Sequence, residues 1–178
     1  MHYHVVEPHS DDAFLSLHAH MLGWLKQGHG VTIHTYIPVA RGSFPEAKAY
    51  ADHIGAKWKG HETVRVVRGE VATPIQKLRL GKDDQLILPL AIKHPDHWLV
   101  RSSMETPKAH FYVDQPYACT QSSSDRVTEL LTGMRVVSYV KPHSRKYRLC
   151  SIFKAQGKFF YFNPPEDLAE TFEMIVRR

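Results

Sequence analysis

Residues 3–12 of the chain read YHVVEPHSDD, and this stretch decides the fold that the sequence predicts. Residues 3–7 are rich in β-favouring types and a proline follows them, so they predict a first strand. Asp11 and Asp12 come next and can cap a helix, and apolar residues then recur at helical spacing until Gly28. The stretch therefore predicts a strand, a short polar turn and a helix.

Strand and helix patterns continue to alternate after this first unit. Further strands are predicted at residues 31–37, 63–67, 85–88 and 109–113, and further helices at residues 45–55, 70–80 and 95–104. Strands that alternate with helices are typical of βαβ units and of a mostly parallel sheet. We therefore expect an α/β fold, Rossmann-like, with a mostly parallel sheet flanked by helices.

The C-terminal part of the sequence has a less regular pattern. It predicts a strand at residues 135–140, a helix at residues 144–157 and a last helix from residue 163 to residue 178. Residues 121–125 read QSSSD, which is typical of a mobile loop or of a helix N-cap. We expect this part to form a short C-terminal extension of a single domain that spans residues 1–178.

The composition is that of an ordinary globular protein. Of the 178 residues, 43 % are apolar and 23 % are charged, which excludes disorder and coiled coil for the whole chain. No apolar run approaches the ~18–20 residues of a membrane span, and the first residues do not resemble a secretory leader. With only two cysteines, the sequence suits a reducing compartment, and we expect a cytoplasmic protein.

The net charge of +5 is concentrated in one part of the chain. Residues 135–178 contain nine Lys and Arg against four Asp and Glu, so the rest of the chain is neutral. A basic surface can attract phosphates, although a solvated surface without a partner is the plainer interpretation. A nucleotide or nucleic-acid substrate therefore stays open as an alternative.

Two polar clusters each follow a predicted strand. The first is PHSDD at residues 8–12 and the second is HPDH at residues 94–97. In open α/β sheets, ligands bind beyond the carboxyl ends of strands, which is where both clusters are predicted to lie. Zinc takes His nitrogen and Asp oxygen, and its catalytic sites keep a position for water. His9, Asp12 and a histidine of the second cluster thus predict a metal site, with Asp11 beside it as a general base.

Each cluster also has a plainer interpretation. Two aspartates before a helix usually act as an N-cap, and a lone His-x-x-His is often a surface feature. Both together, each after a strand, favour the metal site. The other histidines of the first sixty-one residues are not predicted to act. His2 and His4 alternate on the predicted first strand as a surface pair, and His18 and His20 lie on the predicted first helix. No carboxylate stands at ligand spacing from the remaining four, which are His29, His34, His53 and His61.

The two clusters resemble motifs of a known family. PHSDDA at residues 8–13 resembles the Pro-His-x-Asp-Asp motif of the PIG-L/LmbE-like de-N-acetylases, and HPDHWLVR at residues 94–101 is similar to their second motif. These are zinc hydrolases that remove acetyl groups from amino sugars and related amides. Weaker similarities lie around residues 41–55 and in FYVDQPYA at residues 111–118, so the resemblance covers about residues 3–118.

The resemblance implies a metal centre made of His9, Asp12 and His97. Zinc is the expected cofactor, while iron or manganese can occupy such a set of ligands. The implied activity is a zinc-dependent N-deacetylase that hydrolyses the amide of an N-acylated amino sugar or a related small molecule. The expected partner is thus a small-molecule substrate.

The resemblance also implies roles for four residues beside the metal. Asp11 is expected to be the base that takes a proton from water, and His94 to stabilise the oxyanion or to protonate the leaving amine. Asp96 is expected to orient His94, since a carboxylate often orients a catalytic imidazole. Arg41 is expected to contact the substrate.

The sequence departs from the family in two respects. The glycine pair usual in the first helix is absent, and residues 17–20 read LHAH instead. The chain is also short, so substrate loops are expected to be trimmed. Two alternatives therefore stay open, a metal-dependent hydrolase of a nucleotide or nucleic acid and a degenerate binding module without catalysis.

Overall fold

The structure is a computed structural model that describes residues 1–37, 43–61, 66–67, 70–71, 75–115, 117–119, 124–141, 152 and 173–178. The strands are β1 (His2–Glu7), β2 (Gly30–Thr35), β3 (Lys57–Gly60), β4 (Val66–Val67), β5 (Glu70–Val71), β6 (Asp84–Pro89), β7 (His110–Tyr112), β8 (Arg135–Val140) and β9 (Glu173–Arg177). The helices are α1 (Asp12–Lys26), α2 (Ser43–Ile54), α3 (Pro95–Met104) and α4 (Ser124–Leu131), with a 3₁₀ turn at Tyr117–Cys119.

Seven strands form one mixed, mostly parallel sheet in the order β3-β2-β1-β6-β7-β9-β8. The first five are parallel neighbours, and β9 pairs antiparallel with both β7 and β8. The predicted α/β fold is confirmed. Because β1 has β2 on one side and β6 on the other, the order of the strands reverses at β1, and ligands bind at such a switch point in open sheets.

Side chains along β1 alternate between the two faces of the sheet, and each face packs into an apolar core of its own. Val5 packs on one face with Phe14 and Leu17 of α1, and all three are fully buried. Val6 packs on the other face with Leu88 of β6 and Val100 of α3. Both faces of the sheet are therefore covered beside β1, and the polar residues that follow β1 and β6 lie at the edge between two packed layers.

The third strand of the parallel sheet is not the predicted one. The sheet uses β3, whose sequence KWKG lacks an apolar run because the strand lies at the edge of the sheet and is largely exposed. Of the strand predicted at residues 63–67, only β4 is described, and it pairs with β5 in a separate two-stranded sheet. The helix predicted at residues 70–80 is wrong, since residues 70–71 form β5 and residues 75–80 have no helical structure.

The C-terminal helix is also wrong where it can be compared. Residues 173–177 form β9, because the strand lies between β7 and β8 and the apolar residues of EMIVR pack into both cores. Strand β8 was predicted, and it continues the same sheet at its edge. The helix predicted at residues 144–157 lies outside the described residues apart from Ile152.

Two smaller findings bear on the other predictions. Residues 38–42, with Arg41, lie outside the described residues. Within the described part of the chain, none of the helices combines the length and the hydropathy that a membrane span requires.

Three histidines and an aspartate form a row of hydrogen bonds across the sheet. Asp84 Oδ2 lies 3.2 Å from His4 Nε2, His4 Nδ1 lies 3.0 Å from His34 Nε2, and His34 Nδ1 lies 3.0 Å from His61 Nε2. Burial, together with the neighbouring imidazoles and Lys59, lowers the pKa of His34 to about 3. His34 is therefore neutral in the folded protein at all pH values near neutrality.

We expect His34→Gln to make the stability of the protein less sensitive to acid. The unfolded chain binds a proton at His34 below about pH 6.5, whereas the folded protein does not until about pH 3. Stability is therefore lost as the pH falls through this window, by up to about 1.4 kcal/mol for each pH unit. Glutamine keeps one donor and one acceptor but takes up no proton.

Urea unfolding at pH 7 and pH 5 measures this effect. Other groups titrate in the same window, so the test is the difference in pH dependence between the wild type and the variant. His53→Gln, at an exposed position of α2, is the matched control. Equal losses of stability in the wild type and in His34→Gln would contradict the expectation.

Candidate active site

The two polar clusters meet at the carboxyl ends of β1 and β6. His9 and Asp11 lie in the turn between β1 and α1, Asp12 is the first residue of α1, and His94 and His97 lie at the start of α3. The rings of His9 and His94 are 4.8 Å apart between centroids, and those of His9 and His97 are 5.3 Å apart. Together with Asp96, these are the six candidate metal-binding and catalytic residues of the two clusters, and the structure places them at one edge of the sheet.

His97 lies between two carboxylates. Its Nδ1 is 3.2 Å from Asp114 Oδ1, and its Nε2 is 3.3 Å from Asp12 Oδ1. The side chain is completely buried, and Nε2 has no hydrogen bond of good geometry among the described residues. Although burial favours the neutral ring, Asp12 and Asp114 hold the pKa of His97 well above its usual value. The site therefore attracts a cation at this nitrogen.

His9 has a similar arrangement. Its Nε2 is 2.9 Å from Asp96 Oδ2, and its Nδ1 is 3.6 Å from Asp12 Oδ2. The same Asp12 oxygen accepts the backbone N–H of His9 at 2.8 Å, which fixes the turn. Each imidazole thus has a carboxylate on one nitrogen and faces Asp12 with the other.

The hydrogen-bond partners indicate which nitrogens can bind a metal. When neutral, His9 donates its single N–H to Asp96 and His97 donates its single N–H to Asp114. The remaining nitrogens then present lone pairs towards the Asp12 carboxylate. Three groups of electron donors facing one another favour a cation between them, and two His nitrogens with one Asp oxygen suit zinc or a similar divalent ion.

The carboxylate of Asp12 is ionised in this setting. Burial favours its protonated form, but the charge and hydrogen bond of His97 and the charge of His9 hold the pKa of Asp12 below its usual value. An ionised carboxylate is the form that binds a divalent cation. The donor set of His9, Asp12 and His97 therefore fits a metal.

His94 differs from the other two histidines. It is the N-cap of α3, and its Nδ1 accepts the backbone N–H of Asp96 at 3.2 Å. Burial and the nearby His9 lower the pKa of His94, so the ring is neutral and its proton lies on Nε2. The ligand atoms of His9, His94 and His97 lie within 4.8 Å of one another. His94 is close enough to bind the same ion, but in this tautomer its Nε2 is a donor.

The Asp96 carboxylate lies closer to His9 than to His94, the partner that the sequence predicted for it. The Asp96 carboxylate lies 2.9 Å from His9 Nε2 and 3.7 Å from His94 Nδ1. The Nδ1 of His94 is already occupied by the backbone N–H of Asp96, so the carboxylate is directed to His9. Asp96 therefore orients His9 through its side chain and contacts His94 through its backbone.

Asp11 precedes α1 but does not cap it through its side chain. Burial and the charge of Asp12 raise the pKa of Asp11 to about 7. Part of the capping is done by Glu7, whose Oε2 accepts the backbone N–H of Ala13 at 3.0 Å. The plainer interpretation of Asp11, a helix cap, is therefore not supported by the contacts of its side chain.

Three residues at the site were not predicted. Glu7 is a buried acid within β1, Asp114 follows β7, and the ring of Tyr117 lies edge-on to His97 at 5.6 Å. Asp114 and Tyr117 stand in the FYVDQPYA segment, directly after a strand that neighbours β6 in the sheet. Their position at a third strand end is the signal that was available in the sequence.

Solved structures with the same fold are known. A deacetylase in the biosynthesis pathway of teicoplanin, in complex with bog, is 17 % identical with a TM-score of 0.68, over 100 % of this chain and 99 % of that chain. The zinc-inhibited form of teicoplanin deacetylase Orf2 is 17 % identical with a TM-score of 0.62, over the same shares. GalB, the 4-carboxy-2-hydroxymuconate hydratase from Pseudomonas putida KT2440, is 13 % identical with a TM-score of 0.58, over 89 % and 81 %.

No protein-family model and no curated protein sequence matches the chain. At these identities, the similarity to solved structures concerns the fold. The fold implied by the resemblance to the PIG-L/LmbE-like de-N-acetylases is therefore confirmed, and it extends over the whole chain rather than over residues 3–118 alone.

Proposed function

We propose that this chain, which has the fold of the teicoplanin deacetylases, is a metal-dependent N-deacetylase of the PIG-L/LmbE type. Its substrate is an N-acylated amino sugar or a related small amide, and it acts in the cytoplasm as a single domain of residues 1–178. One observation carries the proposal. His9 Nδ1 and His97 Nε2 both face the buried carboxylate of Asp12, while other carboxylates hold their opposite nitrogens.

His9, Asp12 and His97 would hold the metal. A divalent cation at this position supplies a Lewis acid, which polarises a carbonyl and makes water a stronger acid. Zinc is the proposed ion because two imidazoles and one carboxylate are common zinc ligands in catalytic sites. Iron or manganese suits the same residues.

Two residues of the chain carry the proton transfers of amide hydrolysis. Asp11 accepts a proton from the attacking water, which adds to the amide carbon. His94 donates a hydrogen bond from Nε2 to the oxygen that becomes negative, and the proton held by Asp11 passes to the nitrogen as the carbon–nitrogen bond breaks. The products are a carboxylic acid and an amine, so one water is consumed for each amide.

Arg41 is proposed to contact the substrate. In the sequence it follows β2, which neighbours β1 in the sheet. Its guanidinium suits a phosphate or another anionic group on the substrate.

Metal analysis combined with acetate release tests the proposal. Purified protein is expected to bind about one divalent ion per chain and to release acetate from an N-acetylated amino sugar. Metal binding without release from a panel of N-acetylated amino sugars would favour a binding module. Salt-dependent binding of nucleic acid would favour the nucleotide alternative, and a wild type that binds no divalent ion would overturn the proposal.

A further inference from the structure

Asp114 is a buried acid with two separate partners. It follows β7, and its side chain is completely shielded from solvent. Its Oδ1 is 3.2 Å from His97 Nδ1, and its Oδ2 accepts the backbone N–H of Ile92 at 2.8 Å. One carboxylate thus joins a candidate metal ligand to the loop between β6 and α3.

This loop has an unusual backbone. Ala91 has a φ of +62°, in the left-handed region that side chains other than glycine rarely adopt. The residues on either side of it are held in place. Leu90 donates its N–H to Tyr112 O at 2.8 Å and accepts from Arg101 Nη1 at 2.6 Å, and Ile92 donates to Asp114. The loop leads directly to His94, so its path determines where α3 begins.

We propose that Asp114 is a positioning residue, which keeps the Nε2 lone pair of His97 directed at the metal site and fixes the loop that carries His94. This inference rests on the proposed function, because it assumes that His97 binds a metal. An ionised carboxylate only accepts hydrogen bonds, so it requires a donor at His97 Nδ1 and at Ile92 N. His97 can then present an unprotonated nitrogen only at Nε2. Carboxylates that orient metal-binding histidines in this way also strengthen them as ligands.

Asp114→Asn separates these requirements with almost no change of volume. The amide has one acceptor oxygen and one donor NH₂ group, so it cannot accept from both N–H groups. If its oxygen accepts from Ile92, the NH₂ faces His97 Nδ1, which must then lose its proton to Nε2. If its oxygen accepts from His97, the NH₂ group faces the backbone N–H of Ile92, and two donors then oppose each other. The first arrangement removes the lone pair from the metal site, and the second disturbs the loop.

The affinity for zinc, measured by competition with a chelator, is the primary readout. Asp114→Asn is expected to weaken zinc binding by about 10–100-fold, which is the usual effect of losing the carboxylate partner of a ligand. Asp52→Asn is the matched control, because Asp52 is an exposed acid of α2 that pairs with Lys48, away from the site. It is expected to bind zinc like the wild type.

A second substitution distinguishes the ligand from the loop. Glycine adopts a positive φ without strain, so Ala91→Gly stabilises the observed path of the loop. Adding it to Asp114→Asn restores zinc affinity if Asp114 acts only through the loop, and it leaves the affinity low if Asp114 acts on His97. Restoration in the double variant would overturn the part of the inference that concerns His97.

The outcomes separate this inference from the proposed function. A wild type without zinc affinity contradicts the proposed function itself. A wild type that binds zinc while Asp114→Asn binds it equally well overturns the inference alone. If Asp114→Asn does not fold, NMR of the zinc-loaded wild type with ¹⁵N-labelled histidine decides instead. A proton on His97 Nδ1 supports the inference, and a proton on Nε2 overturns it.

Discussion

Asp11→Asn is expected to lower turnover by about 10²–10⁴-fold while the protein keeps its metal. The amide has almost the same volume as the carboxylate, but it cannot take a proton from water. The Asp11 side chain makes no capping hydrogen bond to α1, so the helix does not depend on it for a cap. The measurements are metal content and acetate release from an N-acetylated amino sugar that the wild type cleaves.

Two controls accompany this prediction. Asp12→Asn is expected to lose metal as well as turnover, because a neutral amide is a poorer ligand for a dication. Asp83→Asn, at an exposed position before β6, is expected to behave like the wild type. Turnover of Asp11→Asn at the wild-type rate would contradict the mechanism even if the metal site exists.

His97→Ala is expected to abolish stable metal binding. The side chain is completely buried, and alanine leaves no donor in its place. Removing a residue that only hydrogen-bonds to a metal ligand weakens metal binding by roughly 10–100-fold. His97→Ala should weaken it further, because the ligand itself is removed. Metal content after dialysis and zinc affinity measure the effect.

The double variant His9→Ala/His97→Ala makes this test decisive. It removes both imidazoles and leaves Asp12 as the single remaining member of the proposed set. His53→Ala, at an exposed histidine of α2, controls for loss of an imidazole elsewhere. Full metal occupancy in the double variant would show that the metal lies at another site.

The first half of the fold follows from local signals in the sequence. Strand β1, helix α1 and strand β2 have clear periodicity, and Gly28 and Gly55 end α1 and α2 with the positive φ values that glycine allows. The site motifs were predicted for the same reason, since each follows a strand with a strong pattern. The order of these elements was enough to bring His9 and His97 to one edge of the sheet.

The elements that were missed depend on distant partners. Strand β9 lies between β7 and β8, so residues far along the chain determine that EMIVR is a strand rather than the end of a helix. Strand β3 has little apolar character because it lies at the edge of the sheet. The partner of Asp96 depended on the side-chain direction of His9, which no spacing in the sequence determines.

The fold alone does not determine the reaction. A hydratase, GalB, has the same fold as the teicoplanin deacetylases at a TM-score of 0.58 to this chain. The side chains at the site therefore decide the reaction, and the variants of Asp11 and His97 test it there.

The row of Asp84, His4, His34 and His61 limits the number of extra protons that its hydrogen bonds can accommodate. Each neutral ring has one donor and one acceptor, so an ionised Asp84 sets the tautomer of all three rings in the same direction. One extra proton on His4 or on His61 leaves every bond intact, although a proton on His4 requires His34 and His61 to reverse their tautomers. A second extra proton brings two N–H groups face to face. The hydrogen bonds of the row therefore accommodate no more than one extra proton, and a single apolar substitution at His34 would divide the row into separate rings.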